Sequence, residues 1–168
     1  MKVCMYRPDI AGNVGTIIRL AACMGLEVDI IEPCGFPFNI EQIRRSGMDY
    51  IEYTKINRYV SFEDFKEKNK NSRIILLSTK AKQSYTTFKF QENDILMVGR
   101  ESAGVPDEVH NAVDSEVLIP MKNNMRSNKP YYSNIVNNII KKFVNQYIHF
   151  FIRNFSVFII RVWLTDIY

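Results

Sequence analysis

Three glycine- or proline-marked loops hold the residues of this chain whose types and spacing could do chemistry. The first, RPDIAGNVGTIIRLAA (7–22), carries Asn13 and Arg19. Gly12 and Gly15 allow close backbone approach, and a helix opening at Val14 would aim free N–H groups and a positive dipole end at the loop. The fork-shaped guanidinium of Arg19 suits a phosphate or a ribose. The second loop, in LMVGRESAGVPDEV (96–109), places Gly99, Glu101, Gly104 and Pro106 after an apolar run. Glu101 reads either as a site acid or as an acid stabilised at a helix N-terminus. The third, EVLIPMKNNMRS (116–127), is strand-like over Val117 to Ile119, and Pro120 then removes an N–H from any ladder. Handling of a ribose or an anionic backbone is the chemistry these groups could serve. A dinucleotide phosphate loop competes for the first segment, with Glu32 as the ribose-binding acid, but GNVG is not GxGxxG.

The elements that must position these loops are short. Val3 to Tyr6, Val28 to Ile31, Ile74 to Ser78 and Ile95 to Val98 are largely apolar and do not alternate, the pattern of strands buried on both faces. Between the first two lies a helix with Asn13 as N-cap, an apolar stripe of Ile17, Leu20, Ala21 and Met24, and Gly25 as its stop. Ser61 with Asp64 three residues on is close to a capping box and begins a second helix, SFEDFKEK. Strand, helix and strand at these lengths predict an α/β fold with a mostly parallel sheet and helices on both faces.

In this order and at these distances, the three loop segments resemble the signature segments of the SpoU/TrmH branch of the SPOUT RNA methyltransferases. Ile30 to Phe36 (IIEPCGF), the RRSG turn at Arg44 to Gly47, and the Asp49–Tyr50 pair are similar to a subgroup of short bacterial enzymes. Those enzymes 2′-O-methylate the wobble nucleotide of certain leucine tRNAs. The resemblance covers residues 1–127. It implies an α/β trefoil-knot fold, S-adenosyl-L-methionine as cofactor, the tRNA anticodon loop as partner, methylation at position 34, and a homodimer. It also implies that Arg19 lies near the reacting 2′-hydroxyl and its phosphate, that Asn13 supports the loop, and that Glu101 belongs to the same methyl-transfer site. Leu77, Gly99, Ile119 and Ser127 match cofactor-contacting positions, although Leu77 and Ile119 read by themselves are core residues. An arginine suits the implied reaction. A ribose hydroxyl is a poor nucleophile, and transfer from a sulfonium is an in-line displacement that needs alignment and charge stabilisation.

Composition sets the remaining bounds. The chain of 168 residues fits one domain of ordinary size. Its net charge of +4 belongs to the C-terminal part: residues 1–127 hold 17 basic and 17 acidic side chains, so RNA contact there requires local clusters such as Arg44–Arg45 or Lys80 and Lys82. Cys4, Cys23 and Cys34 form no CxxC pair or Cys/His cluster, which suggests neither a disulfide framework nor a metal site. No segment reads as a signal peptide, and a cytoplasmic protein is expected. A boundary falls at Asn128. Residues 128–168 contain no Ala, Glu, Met, Cys or Gly and are rich in Asn, Ile, Phe and Tyr. An unusual native segment and translation from a shifted frame of an AT-rich gene both remain open, and the loss of helix formers favours the second. Tyr147 to Tyr168 is long enough for a membrane span, but Arg153, Asn154 and Arg161 argue against one. The alternative to an enzyme is a degenerate family member that is inactive or only binds RNA. A nucleotide-dependent oxidoreductase is a third, weaker reading.

Overall fold

The computed structural model describes residues 1–39 and 52–120. Strands β1 (Lys2–Tyr6), β2 (Glu27–Ile31), β3 (Ile56–Tyr59), β4 (Ile74–Leu77), β5 (Ile95–Val98) and β6 (Ser115–Val117) form one sheet in the order β3-β2-β1-β5-β4-β6. Every pairing is parallel. All strand ends carrying loops of interest therefore lie on one edge, the carboxyl edge. The central pair, β1 with β5, has Met5 opposite Val98, and Leu77 of β4 lies opposite both Val98 and Val117.

The apolar runs do not alternate because both faces are covered. Helix α1 (Ala11–Met24) buries Val14, Ile17, Ile18 and Ala21 against Val3, Met5, Val28, Ile30 and Val98. On the opposite face, α2 (Phe62–Lys68) and α3 (Asp107–Ala112) bring Phe62, Phe65 and Val109 onto Cys4, Tyr6, Ile31, Ile74, Leu76, Ile95 and Met97. Phe88 and Phe90 complete the α1 side over Ile75, Leu96 and Val117.

Helix ends show how local sequence sets these boundaries. Gly25 adopts φ +64° after α1, and its N–H reaches the Ala21 and Ala22 carbonyls, a left-handed cap that a Cβ would strain. At α2, Ser61 Oγ accepts the Asp64 N–H at 3.2 Å, while Asp64 reaches back to the Val60 N–H at 3.4 Å, one residue before the cap's own amide. Ser61→Ala should cost about 1 kcal/mol of stability, read as a lower urea midpoint at unchanged slope.

Three expectations are corrected. α1 begins at Ala11 with Ile10 at the cap position, so Asn13 is inside the first turn and caps nothing; its amide is committed elsewhere. The last strand is Ser115–Val117 rather than Val117 to Ile119. Leu118 continues only as an isolated bridge to Ser84, and Ile119 lies past it. Strand β3 is an addition, since INRY carries Asn57 and Arg58 and lacks an apolar run. The trefoil knot, the RRSG turn, the Asp49–Tyr50 pair, Ser127, and the segment after it lie outside the described residues. Among the described residues no helix is long and apolar enough to cross a membrane, and no group of three or more His, Cys, Asp or Glu could hold a metal ion.

Candidate functional site

The strand order reverses its direction of growth between β1 and β5. The chain leaves β1 through α1 on one face toward β2, and leaves β5 through α3 on the other face toward β6. The loops at the carboxyl ends of β1 and β5, residues 7–10 and 99–105, therefore lie at the switch point of the sheet, the position at which α/β sheets bind ligands.

Glu101 ties these two loops together. Its Oε1 accepts the Asn13 amide at 2.9 Å and its Oε2 accepts the Asp9 backbone N–H at 2.8 Å. The two residues are 88 positions apart in sequence. The helix-terminus alternative for Glu101 does not hold, because α3 starts only at Asp107. With both carboxylate oxygens engaged, Glu101 fixes the spacing of the loops, and Asn13 is held as its partner.

Asp9, which sequence reasoning passed over, completes the clamp. Its Oδ1 accepts from Arg100 Nη2 at 2.8 Å and Nε at 3.3 Å, and its Oδ2 accepts from the Ser102 N–H at 3.2 Å and from the Ser102 hydroxyl. A third loop closes against it. The Gly35 N–H donates to Pro8 O at 2.9 Å, and a Cβ on Gly35 would come within 2.9 Å of Asp9 Oδ1. The only signals in the sequence are the acid after Pro8 and the Arg-Glu-Ser run itself.

The bonds from Arg100, and then those from Ser102, hold the Asp9 carboxyl down to about 2 from its ordinary 3.8. A folded-state value below the unfolded one means that the clamp's contribution is complete above pH about 4 and is lost as pH falls through about 2. Thermal melts between pH 5 and pH 2 should therefore show an acid loss of stability in the wild type that is shallower in Asp9→Asn. Parallel acid limbs in the two proteins would remove the clamp's role.

Gly99 is buried at the end of β5, and its loop doubles back tightly. Arg100 and Gly104 exchange two backbone hydrogen bonds of 2.9 Å, and Gly104 takes φ +68°. A Cβ on Gly99 would meet the Gly104 carbonyl carbon at 2.7 Å. Leu77 and Ile119, at neighbouring strand ends, are partly exposed and pack on the same buried cluster of Ile75, Phe88, Phe90, Leu96 and Val117. Lys80, on the loop after β4, pairs with Asp107 at 3.2 Å on the surface; Lys82 is exposed, and Arg44 and Arg45 lie outside the described residues.

Arg19 stands apart from this group. It is exposed on α1, six residues beyond Asn13, about 9 Å along the axis and a third of a turn around it. Its neighbours on that stripe are Gly12, Thr16 and Cys23, all exposed. Asn13, Glu101, Gly99, Leu77 and Ile119 therefore share the carboxyl edge, whereas Arg19 looks out from the helix that leaves it.

Comparison with known proteins agrees with this fold. Residues 1–128 match the model of the SpoU rRNA Methylase family. The tRNA (cytidine(34)-2′-O)-methyltransferase of Beijerinckia indica is 50% identical over 125 residues, covering 73% of this chain and 78% of that protein. A solved structure described as giving insight into 2-OH methylation of C/U34 on tRNA superposes with a TM-score of 0.76 at 29% identity, over 84% of this chain and 91% of the other. The SpoU methyltransferase AviRb from Streptomyces viridochromogenes, in complex with AdoMet, shares the fold with a TM-score of 0.75 at 22% identity, over 88% of this chain and 58% of the other.

Proposed function

The chain belongs to the SpoU methylase family, and from that premise we propose that it transfers a methyl group to the ribose 2′-hydroxyl of nucleotide 34 in tRNA. The observation that carries this reading is the bridge from Asn13 to Glu101, which joins the first two signature loops at the switch point of the sheet. The relatives' names supply the substrate, and the binding-only alternative has no observation in its favour.

S-adenosyl-L-methionine is the cofactor this reading requires, and the residues present fit it. Leu77 and Ile119 offer a partly exposed apolar ledge at adjacent strand ends, of the kind an adenine covers, and Gly99 leaves its backbone bare beside them. Leu77, Gly99 and Ile119 would hold the cofactor, joined by Ser127 from the third segment. When bound, it supplies an electrophilic methyl group on a sulfonium. The chain's own part is alignment. Glu101 and Asn13 hold the two loops together, so a ribose seated against them meets a preset geometry. Arg19 would supply a permanent positive charge to an RNA phosphate or a developing oxyanion at the surface it faces, away from the Asn13–Glu101 bridge. Its place on the exposed stripe of α1 supports a role at a surface met by RNA or by a second copy of the chain, and the family resemblance carries the further proposal of a homodimer. Leucine tRNAs are the assigned substrates, and the catalytic domain is assigned to residues 1–127, with 128–168 as a divergent tail.

Incubation of the full chain with labelled S-adenosyl-L-methionine and total tRNA tests the function. Label should appear as a 2′-O-methyl group at position 34, concentrated in leucine acceptors. Absence of transfer, with the cofactor bound, would overturn the enzyme reading. Replacing 128–168 by a family-like C-terminal segment should raise cofactor affinity and dimer content if the tail is indeed foreign to the domain.

A further inference from the structure

Arg7 occupies a conformation that its residue type does not explain. It follows β1 directly at the carboxyl edge, and its φ is +44°, whereas the other positive φ angles among the described residues belong to Gly25 and Gly104. Glycine or asparagine is the usual occupant of such a position, because a Cβ is crowded there. The backbone is nonetheless pinned: the Arg7 N–H donates to Ile31 O at 2.9 Å, and Pro8, next in line, is held by Gly35. A residue kept in a sparsely populated backbone region at a ligand-binding edge points to a task for its side chain.

The side chain is prepared but uncommitted. The guanidinium lies 5.4 Å from the Tyr6 ring centroid, and Tyr6 is in turn fixed edge-on against Phe62. Nε of Arg7 is buried and has no hydrogen-bond partner, and the group makes no ion pair among the described residues. Glu63, at the start of α2, is the acid that senses its charge, without reaching salt-bridge distance. Arg58, by contrast, is neutralised by Glu32, and Arg100 by Asp9. A planar cation held near an aromatic face, with side-chain donors that make no hydrogen bond among the described residues, is suited to receive an anion. Arg7 also lies two residues before Asp9, in the same loop that Glu101 fastens to Asn13.

We propose that Arg7 is an RNA-contacting residue: its guanidinium takes a phosphodiester of the substrate strand at the carboxyl edge, on the sheet face opposite α1. This rests on the tRNA reading above and adds to it a contact by a residue of the first loop to which that reading gives no role. The left-handed backbone and the Tyr6 ring then serve to aim the group before RNA arrives, which spares the ordering that a free surface arginine would undergo on binding.

The test compares the full chain with Arg7→Gly and Arg7→Asn, both of which tolerate a positive φ. Binding of unmodified tRNA is titrated at several salt concentrations, alongside binding of S-adenosyl-L-methionine and thermal melts. Both variants should bind tRNA about tenfold more weakly, with the slope of log K against log[salt] reduced by about 1. Cofactor affinity should stay within about twofold, and the melting temperature should hold or rise. Unchanged tRNA affinity and slope would overturn the proposal, as would a parallel fall in cofactor binding and melting temperature, which would make Arg7 a structural residue. A wild-type chain that binds tRNA without methylating it would sink the enzyme reading alone, since the salt slopes still decide the role of Arg7. A wild-type chain that does not bind tRNA at all overturns both.

Discussion

Arg19→Ala lowers methyl transfer to tRNA by about a hundredfold or more while S-adenosyl-L-methionine binds nearly as before. The expectation follows from where Arg19 stands on α1. The buried stripe of that helix is Val14, Ile17, Ile18 and Ala21, and Arg19 lies outside it with exposed Gly12, Thr16 and Cys23. Truncation there removes no member of the buried stripe, so the fold should be kept. The cofactor-side residues are at the strand ends, and Arg19 is displaced along the helix from Asn13, so a loss confined to rate is what a charge acting on the ribose and its phosphate would give. Arg19→Lys should recover only part of the rate, since an ammonium keeps the charge but not the fork. Single-turnover rates, with cofactor titrations and melts on the same preparations, check this. An equal fall in cofactor affinity and rate would put Arg19 in the pocket wall.

Gly99→Ala should be severely damaging for a substitution that adds one methyl group. The added methyl meets backbone, the Gly104 carbonyl carbon at 2.7 Å and Cα at 2.9 Å, so no side chain can swing aside to admit it. The paired bonds between Arg100 and Gly104 resist opening of the loop, and the clamp on Asp9 resists its translation. Overpacking of this sort costs roughly 1–3 kcal/mol. The strain falls where the cofactor is expected, so S-adenosyl-L-methionine affinity should drop at least about tenfold, beyond what the stability loss explains. Gly104→Ala is the useful contrast. It has open space around the new methyl but a positive φ, and should cost about 1 kcal/mol with less effect on the cofactor. Calorimetric titration of both variants separates them, and equal cofactor affinities would remove Gly99 from the site.

The sequence was readable where a physical signal is local and unreadable where it depends on distant partners. Four of the six strands carry mostly apolar runs, and Gly25 announces its own left-handed cap. Strand β3 escaped because Asn57 faces a buried acid. Its amide donates to Asp29 at 2.8 Å, so a residue that looks like a loop former is in fact the partner that a buried carboxylate needs. Asn13 has the chemistry of a helix cap but is spent on Glu101, and nothing within a few residues of either could reveal that. The Asp9–Arg100 pair has the same character, being 91 positions apart. The glycine at 35 makes sense only once Asp9 is seen against it. Signature loops could be found from spacing, but the bonds that join them are a property of the folded sheet.

The placement of β5 between β1 and β4 bears on how the chain is made. β1, β2 and β3 can pair as soon as they leave the ribosome, yet the other side of β1 waits for residues 95–98. At about 5–20 residues per second of synthesis, roughly 90 further residues take about 5–20 seconds. Through that interval β1 presents an unpaired edge of buried-type residues, Val3 to Tyr6, the kind of edge that recruits stray strands from other chains. Slow stretches of translation before residue 95 would lengthen the exposure and favour aggregation, and fast ones would shorten it. The yield of native protein should thus depend on the tempo of the message as well as on the sequence it encodes.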